Sequence, residues 1–160
     1  MQYKWIILSG LVIAFIVTST ALLSFSLLTD DKDEDQVSGL IWGQSAYENA
    51  PRDPYTINNA KIDNDIMYIE VSFGGGCKAH NFTLIVLSGF GESLPVAANA
   101  LLSHDGNNDS CEAWLTKELR FDLSSLKEEY QNTYGQESGA IRILLNPEGD
   151  LPFLEILYEF

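Results

Sequence analysis

Both cysteines and both histidines of this 160-residue chain lie in two short polar segments. These are Gly74-Gly75-Gly76-Cys77-Lys78-Ala79-His80 and His104-Asp105-Gly106-Asn107-Asn108-Asp109-Ser110-Cys111. Their clustering predicts that the two segments meet in space, through a disulfide, a metal or both. In an oxidising compartment two cysteines make one pair, Cys77 with Cys111. A bond closing that loop stabilises by roughly 3–4 kcal/mol on the chain-entropy model. As thiolates, Cys77 and Cys111 would instead join His80 and His104 in a tetrahedral donor set for Zn²⁺ or copper. The spacing Cys77-x2-His80 is ligand-like, whereas His104-x6-Cys111 is no standard knuckle. With the disulfide formed, His80, His104, Asp105 and Asp109 are left to hold a metal. Asp105 through Glu112 also resembles a Ca²⁺ loop in type, without the spacing or flanking helices of an EF-hand. The same Asp, Asn and Gly residues make an ordinary polar turn.

Catalysis finds less support. A nucleophile would require Cys77 or Cys111 free, with His80 or His104 as its base. No G-x-S-x-G, H-E-x-x-H or phosphate-cradling loop is present. The residues point to a non-enzymatic binding or interaction module, with a metal-binding envelope protein (Zn, Cu or Ca) as the alternative. The sequons Asn81-Phe82-Thr83 and Asn108-Asp109-Ser110 matter only in a glycosylating host.

The elements that must position these segments read as β. Strand-like runs span 55–62, 66–73, 81–87, 95–103, 112–121, 140–145 and 153–160, several with the period of two of a half-buried strand. In the run 112–121, Ala113, Leu115, Leu119 and Phe121 share one face. Trp114 interrupts the polar face and predicts a contact there. Asn58-Asn59, Asp63-Asn64-Asp65 and Asn146-Pro147-Glu148-Gly149-Asp150 read as turns. One helix is predicted over 125–132, capped by Asp122 or Ser124, ended by Gly135, and with Leu126 and Tyr130 toward the sheet. About seven strands and one short crossover helix predict an all-β, two-sheet sandwich, immunoglobulin-like in type, over residues 54–160. A small barrel is the alternative.

Residues 29–53 read as an acidic and polar linker, in which the patch Leu40-Ile41-Trp42 is too apolar for a free tether and reads as a first strand or as a segment packed near the membrane surface. Before it, residues 5–28 are uncharged and mostly apolar. As a helix they rise about 36 Å, enough for a hydrocarbon core of about 30 Å. Lys4 on one side and the acidic block 30–35 on the other predict a cytoplasmic N-terminus and a domain outside, single-pass in the membrane. Cleavage as a signal peptide, releasing a secreted domain, is the other reading. The net charge of −14 argues against nucleic acid as a partner. The expected partners are the membrane, through the N-terminal helix, and an envelope protein or small ligand.

The stretch Ser72-Phe73-Gly74-Gly75-Gly76-Cys77-Lys78-Ala79-His80-Asn81-Phe82, with Ser103-His104-Asp105, Asp109-Ser110-Cys111-Glu112 and Phe121-Asp122-Leu123, resembles a set of uncharacterised bacterial exported proteins. Some of these are similar to the β-domain of NigD-like lipoproteins. The resemblance covers roughly residues 65–127 and carries no transferable activity. It implies a cell-envelope β-sandwich. This chain departs from the lipoprotein members in lacking a lipobox cysteine.

Overall fold

The computed structural model describes residues 36–146 and 151–160. The apolar run 5–28 and the acidic block 30–35 lie outside the described residues, as do residues 147–150 of the expected 146–150 turn. Among the described residues, no helix is long and apolar enough to cross a membrane.

The described residues form nine strands and two short helices. In order they are β1 (Val37–Ser38), β2 (Ile41–Trp42), α1 (Gln44–Asn49), β3 (Thr56–Asp63), β4 (Ile66–Gly75), β5 (Asn81–Val86), β6 (Val96–Asp105), β7 (Ala113–Asp122), α2 (Ser124–Tyr134), β8 (Ala140–Leu145) and β9 (Leu154–Glu159). One sheet has the order β1-β7-β4-β3 and the other β2-β5-β6-β8-β9.

The seven long strands follow the sequence pattern closely. On β4, Met67, Ile69, Val71 and Phe73 alternate inward. They meet Leu84 and Val86 of β5, Ala98, Ala100 and Leu102 of β6, and Ile141, Ile143 and Leu145 of β8 in one core. Helix α2 adds Leu126 and Tyr130 to it and ends on Gly135, whose left-handed conformation closes the last turn. Gly139 and Phe160 then pair backbone to backbone, which fixes the start of β8 against the chain end.

Two features depart from the expected architecture. Residues 36–53, expected as linker with a first strand at Leu40-Ile41-Trp42 as one reading, carry β1 and α1 as well as β2. Tyr47 of α1 covers Ile85 and Leu101, which point away from the main core. β6 is therefore buried on both faces, which the all-apolar triplet Ala100-Leu101-Leu102 reflects. The second departure is parallel pairing at β1–β7, β2–β5 and β6–β8. An immunoglobulin-like domain has antiparallel sheets. Here β7 and α2 together form the crossover from β6 to β8, long enough to return the chain in the same direction.

Candidate functional site

β4 and β5 are consecutive, and β4 hands the chain from the first sheet to the second through the glycine-bearing loop. β6 returns beside β5, and its C-terminal loop leads back to β7 next to β4. The two Cys/His loops therefore lie at the same end of the sandwich. Cys77 and Cys111 form a disulfide, with Cα atoms 5.9 Å apart. Neither sulfur is then a free nucleophile or a thiolate ligand, although Asp109 lies close to both.

Asp109 organises the junction. Its Oδ2 accepts the backbone N–H groups of Gly76, Cys77 and Lys78 at 2.8, 2.8 and 2.9 Å. Its Oδ1 accepts that of Cys111 at 3.0 Å. The amide of Cys111, then those of Cys77 and Lys78, with His80, hold its carboxyl far below the usual carboxylate range. Lys78 reinforces the junction by donating its Nζ to the carbonyls of Asn107 and Asn108.

Beneath this junction the two imidazoles are linked. His80 Nδ1 lies 2.8 Å from His104 Nε2, and His80 Nε2 lies 3.3 Å from Asp109 Oδ2. His104 Nδ1 faces the carbonyl of Asp53 at 3.2 Å. That carbonyl can only accept, so His104 donates from Nδ1 and accepts at Nε2. His80 then donates from Nδ1. Its second contact, to a carboxylate, is a hydrogen bond when the ring carries both protons. Burial pushes the His104 imidazole down, only partly opposed by the Asp53 carbonyl, which favours the neutral form that this polarity requires.

The local sequence explains why this packing is possible. Gly75 has φ +151°, and a Cβ there would run into His80 Nε2 and Asp109 Oδ2. A side chain at Gly106 would press on the Asp53 carboxylate and the His80 ring. His104 continues the inward face of β6 after Ala98, Ala100 and Leu102, and is 2% exposed. It stacks on Phe82, with ring centroids 4.3 Å apart and planes 3° apart, and its ring centroid lies 5.1 Å from that of His80. Phe73 and Tyr55 close the aromatic box.

Asp53 was not singled out by sequence reasoning, yet it enters twice. Its carbonyl faces His104, and its Oδ2 accepts the Gly106 N–H at 2.7 Å. The segment bearing it is stitched to β6 by Ser103 Oγ donating to the Pro51 carbonyl and by Asp53 N–H donating to the His104 carbonyl. Tyr55, also missed, donates its hydroxyl to the Leu102 carbonyl and receives Asn146 Nδ2; burial pushes its phenol up to about 12. The Pro51-Arg52-Asp53-Pro54 run carries no signal that names β6 as its partner. Trp114, in contrast, does break the polar face of its strand. It is 68% exposed and in register with Gly74, which leaves its indole uncovered on that side.

These residues frame an open cleft of about 450 Å³, lined by Asp53, Tyr55, His80, His104, Asn108 and Trp114 among others. Of the residues expected to hold a metal, His104, His80 and Asp109 lie in series, His80 touching each of the other two, and their donor atoms do not surround one point. Asp105 does not join them in any hydrogen bond of the relay: its Oδ1 accepts the Asn107 N–H and shapes its own turn. The nitrogens and oxygens of the other three already serve one another or the backbone.

The fold and site define a disulfide-stapled, two-sheet β-sandwich with a cleft over a buried histidine pair. No family model matches this chain, and no curated protein matches it. Among solved structures it is similar to a NigD-like immunity protein from Bacteroides caccae, with a TM-score of 0.55, 16% identity and 77% of this chain covered. It is also similar to a Bacteroides vulgatus protein of unknown function, DUF1344, with a TM-score of 0.51, 15% identity and 78% covered. The chain spans 64% and 56% of those two structures, respectively. The NigD-like resemblance read from residues 65–127 thus has a counterpart in the fold.

Proposed function

We propose that this chain is an exported, envelope-attached, non-enzymatic binding module. Residues 5–28 hold it in the membrane, and the cleft over His80 and His104 is its binding surface. The observation that carries this reading is the cleft's construction. A covalent tie, a carboxylate filled by backbone amides and a stacked aromatic floor hold its walls through contacts within the protein, which lowers the ordering cost of binding. Its rim carries an exposed indole, a side chain enriched in binding surfaces.

The test is a fragment screen by NMR on the full chain in detergent micelles. Fragments that bind should perturb the Trp114 indole, assigned with a Trp114→Phe variant, and lose affinity in Trp114→Ala. Binding that spares Trp114 and Asp53 throughout would place the function elsewhere. The attachment is tested separately by fractionating cells that express the full chain. The protein should sediment with membranes, resist alkaline extraction and expose its β-domain to external protease.

The second reading, a metal-holding envelope protein, draws on the run of contacts from His104 through His80 to Asp109. It requires these groups to exchange their mutual hydrogen bonds for Zn²⁺, copper or Ca²⁺. One metal bound per chain at micromolar concentration, lost in His80→Gln, would establish it in place of the first.

A further inference from the structure

The binding-module reading leaves open what the cleft takes, and the polar atoms around it narrow the answer. A neutral, polyhydroxylated ligand such as a sugar needs several side-chain donors and acceptors that are not otherwise engaged. The floor offers few. Both nitrogens of His104 and both of His80 have partners within the protein. The Tyr55 hydroxyl is shared between Leu102 and Asn146. All four amides that could have formed an anion-binding nest are occupied by Asp109.

What remains for a ligand is the exposed indole of Trp114, the exposed carboxylate of Asp53 and the neutral side chains of Thr56 and Asn108. The Asp53 carboxylate is held in place through one oxygen by the Gly106 amide. Among the described residues lining the cleft there is no Lys or Arg. His80, when it carries both protons, is matched by Asp109 beside it. The Asp53 charge is therefore the one an incoming group meets. The whole chain adds a net −14, which attracts cations over a longer range. An exposed indole and a fixed carboxylate lining one cleft suit a group that is cationic and flat or alkyl-stemmed, gaining cation–π and charge-assisted contacts together.

We propose that the cleft between Trp114 and Asp53 binds the cationic side chain, arginine or lysine, of a basic segment on a partner polypeptide. A volume of about 450 Å³ holds one or two such side chains and leaves the rest of the partner on the surface. This proposal rests on the cleft being the binding surface, and its test separates the two ideas.

The probes are acetyl-Gly-Arg-Gly-amide, its lysine and citrulline counterparts, and free arginine, titrated into the full chain in micelles and followed at the Trp114 indole resonance. Citrulline keeps the shape of arginine and removes its charge. The arginine and lysine peptides should bind at least tenfold more tightly than the citrulline peptide, and raising salt from 50 to 300 mM should weaken them severalfold. Asp53→Asn, which retains an oxygen for the Gly106 amide, should weaken the arginine peptide about tenfold with little effect on the citrulline peptide. Equal binding of arginine and citrulline peptides, or an unchanged affinity in Asp53→Asn, overturns the cationic class and leaves the cleft as a binding surface. Free arginine binding as tightly as the tripeptide overturns the polypeptide source. Saturable binding that never perturbs Trp114 overturns both the inference and the cleft reading beneath it.

Discussion

Each end of the sandwich is tied together by one aspartate, and the two are tied differently. At the end of β4 that enters the Cys/His loop, Asp109 is filled by backbone amides, touches a histidine and sits against a disulfide. At the other end of β4, Asp65 begins the strand from the β3–β4 turn. It accepts the Tyr158 hydroxyl at 2.6 Å from β9 and pairs with Lys127 from α2. Both carboxyls lie below their ordinary range, Asp109 chiefly through the Cys111 amide and Asp65 chiefly through Lys127. The Asp65 brace joins side chains on regular elements around a filled core, of which Tyr158 is itself a member. The Asp109 brace joins two loops that have no core of their own, and a cleft opens beside it. Similar electrostatics thus close one end and hold the other open.

Substitutions can break this contrast, beginning with the covalent tie. Replacing both Cys77 and Cys111 with alanine should cost roughly 3–4 kcal/mol of unfolding free energy in urea titrations. It should also broaden the amide signals of the 74–80 and 104–111 segments while leaving those around Asp65 sharp. Gly75→Ala should cost on the order of 3 kcal/mol, because a side chain both strains the backbone and displaces the His80–Asp109 contact. If Gly75→Ala is instead as mild as a typical surface change, the relay is not packed as described. At the opposite end, Tyr158→Phe should cost about 1.5–3 kcal/mol, the range of one hydrogen bond to a charged group, without altering ligand affinity at the cleft. Asp105→Ala, which removes only a local turn contact, should stay within about 0.5 kcal/mol.

The ends should also differ in acid. A His104 imidazole pushed below its ordinary value binds fewer protons folded than unfolded. The stability it contributes is complete above about pH 6.5, the unperturbed value, and is lost as pH falls through the depressed one. Asp65 and Asp109 follow the same sign from about pH 4 downward, their unfolded range. Nitrogen-15 spectra should therefore show His104 still neutral at a pH where a free histidine is half protonated. A midpoint at or above that of free histidine would remove burial as the governing influence there.

How much of this was legible in the sequence follows from the range of each interaction. The seven long strands and α2 are written in local periodicity. Leu126 and Tyr130 fall inward as their spacing requires, and Gly135 stops the helix as expected. The meeting of the Cys/His loops could be anticipated because cysteines come in pairs. The relay could not, because its polarity depends on Asp53, whose segment runs beside β6 for reasons of backbone pairing and not of side-chain type. The same holds for α1. Tyr47 looks like one apolar residue in a polar stretch until Ile85 and Leu101 are seen to form a second cluster with it. Parallel pairing at β6–β8 is a choice of topology that leaves no mark on alternation.

Cys111 is itself part of the cleft wall. Protein made in a reducing compartment carries thiols where that wall is later sealed. If the chain is exported as proposed, its capacity to capture a partner is acquired on arrival, by oxidation, and is withheld during synthesis. Dithiothreitol-treated protein that binds the arginine peptide as well as the oxidised form would show that no such maturation step exists.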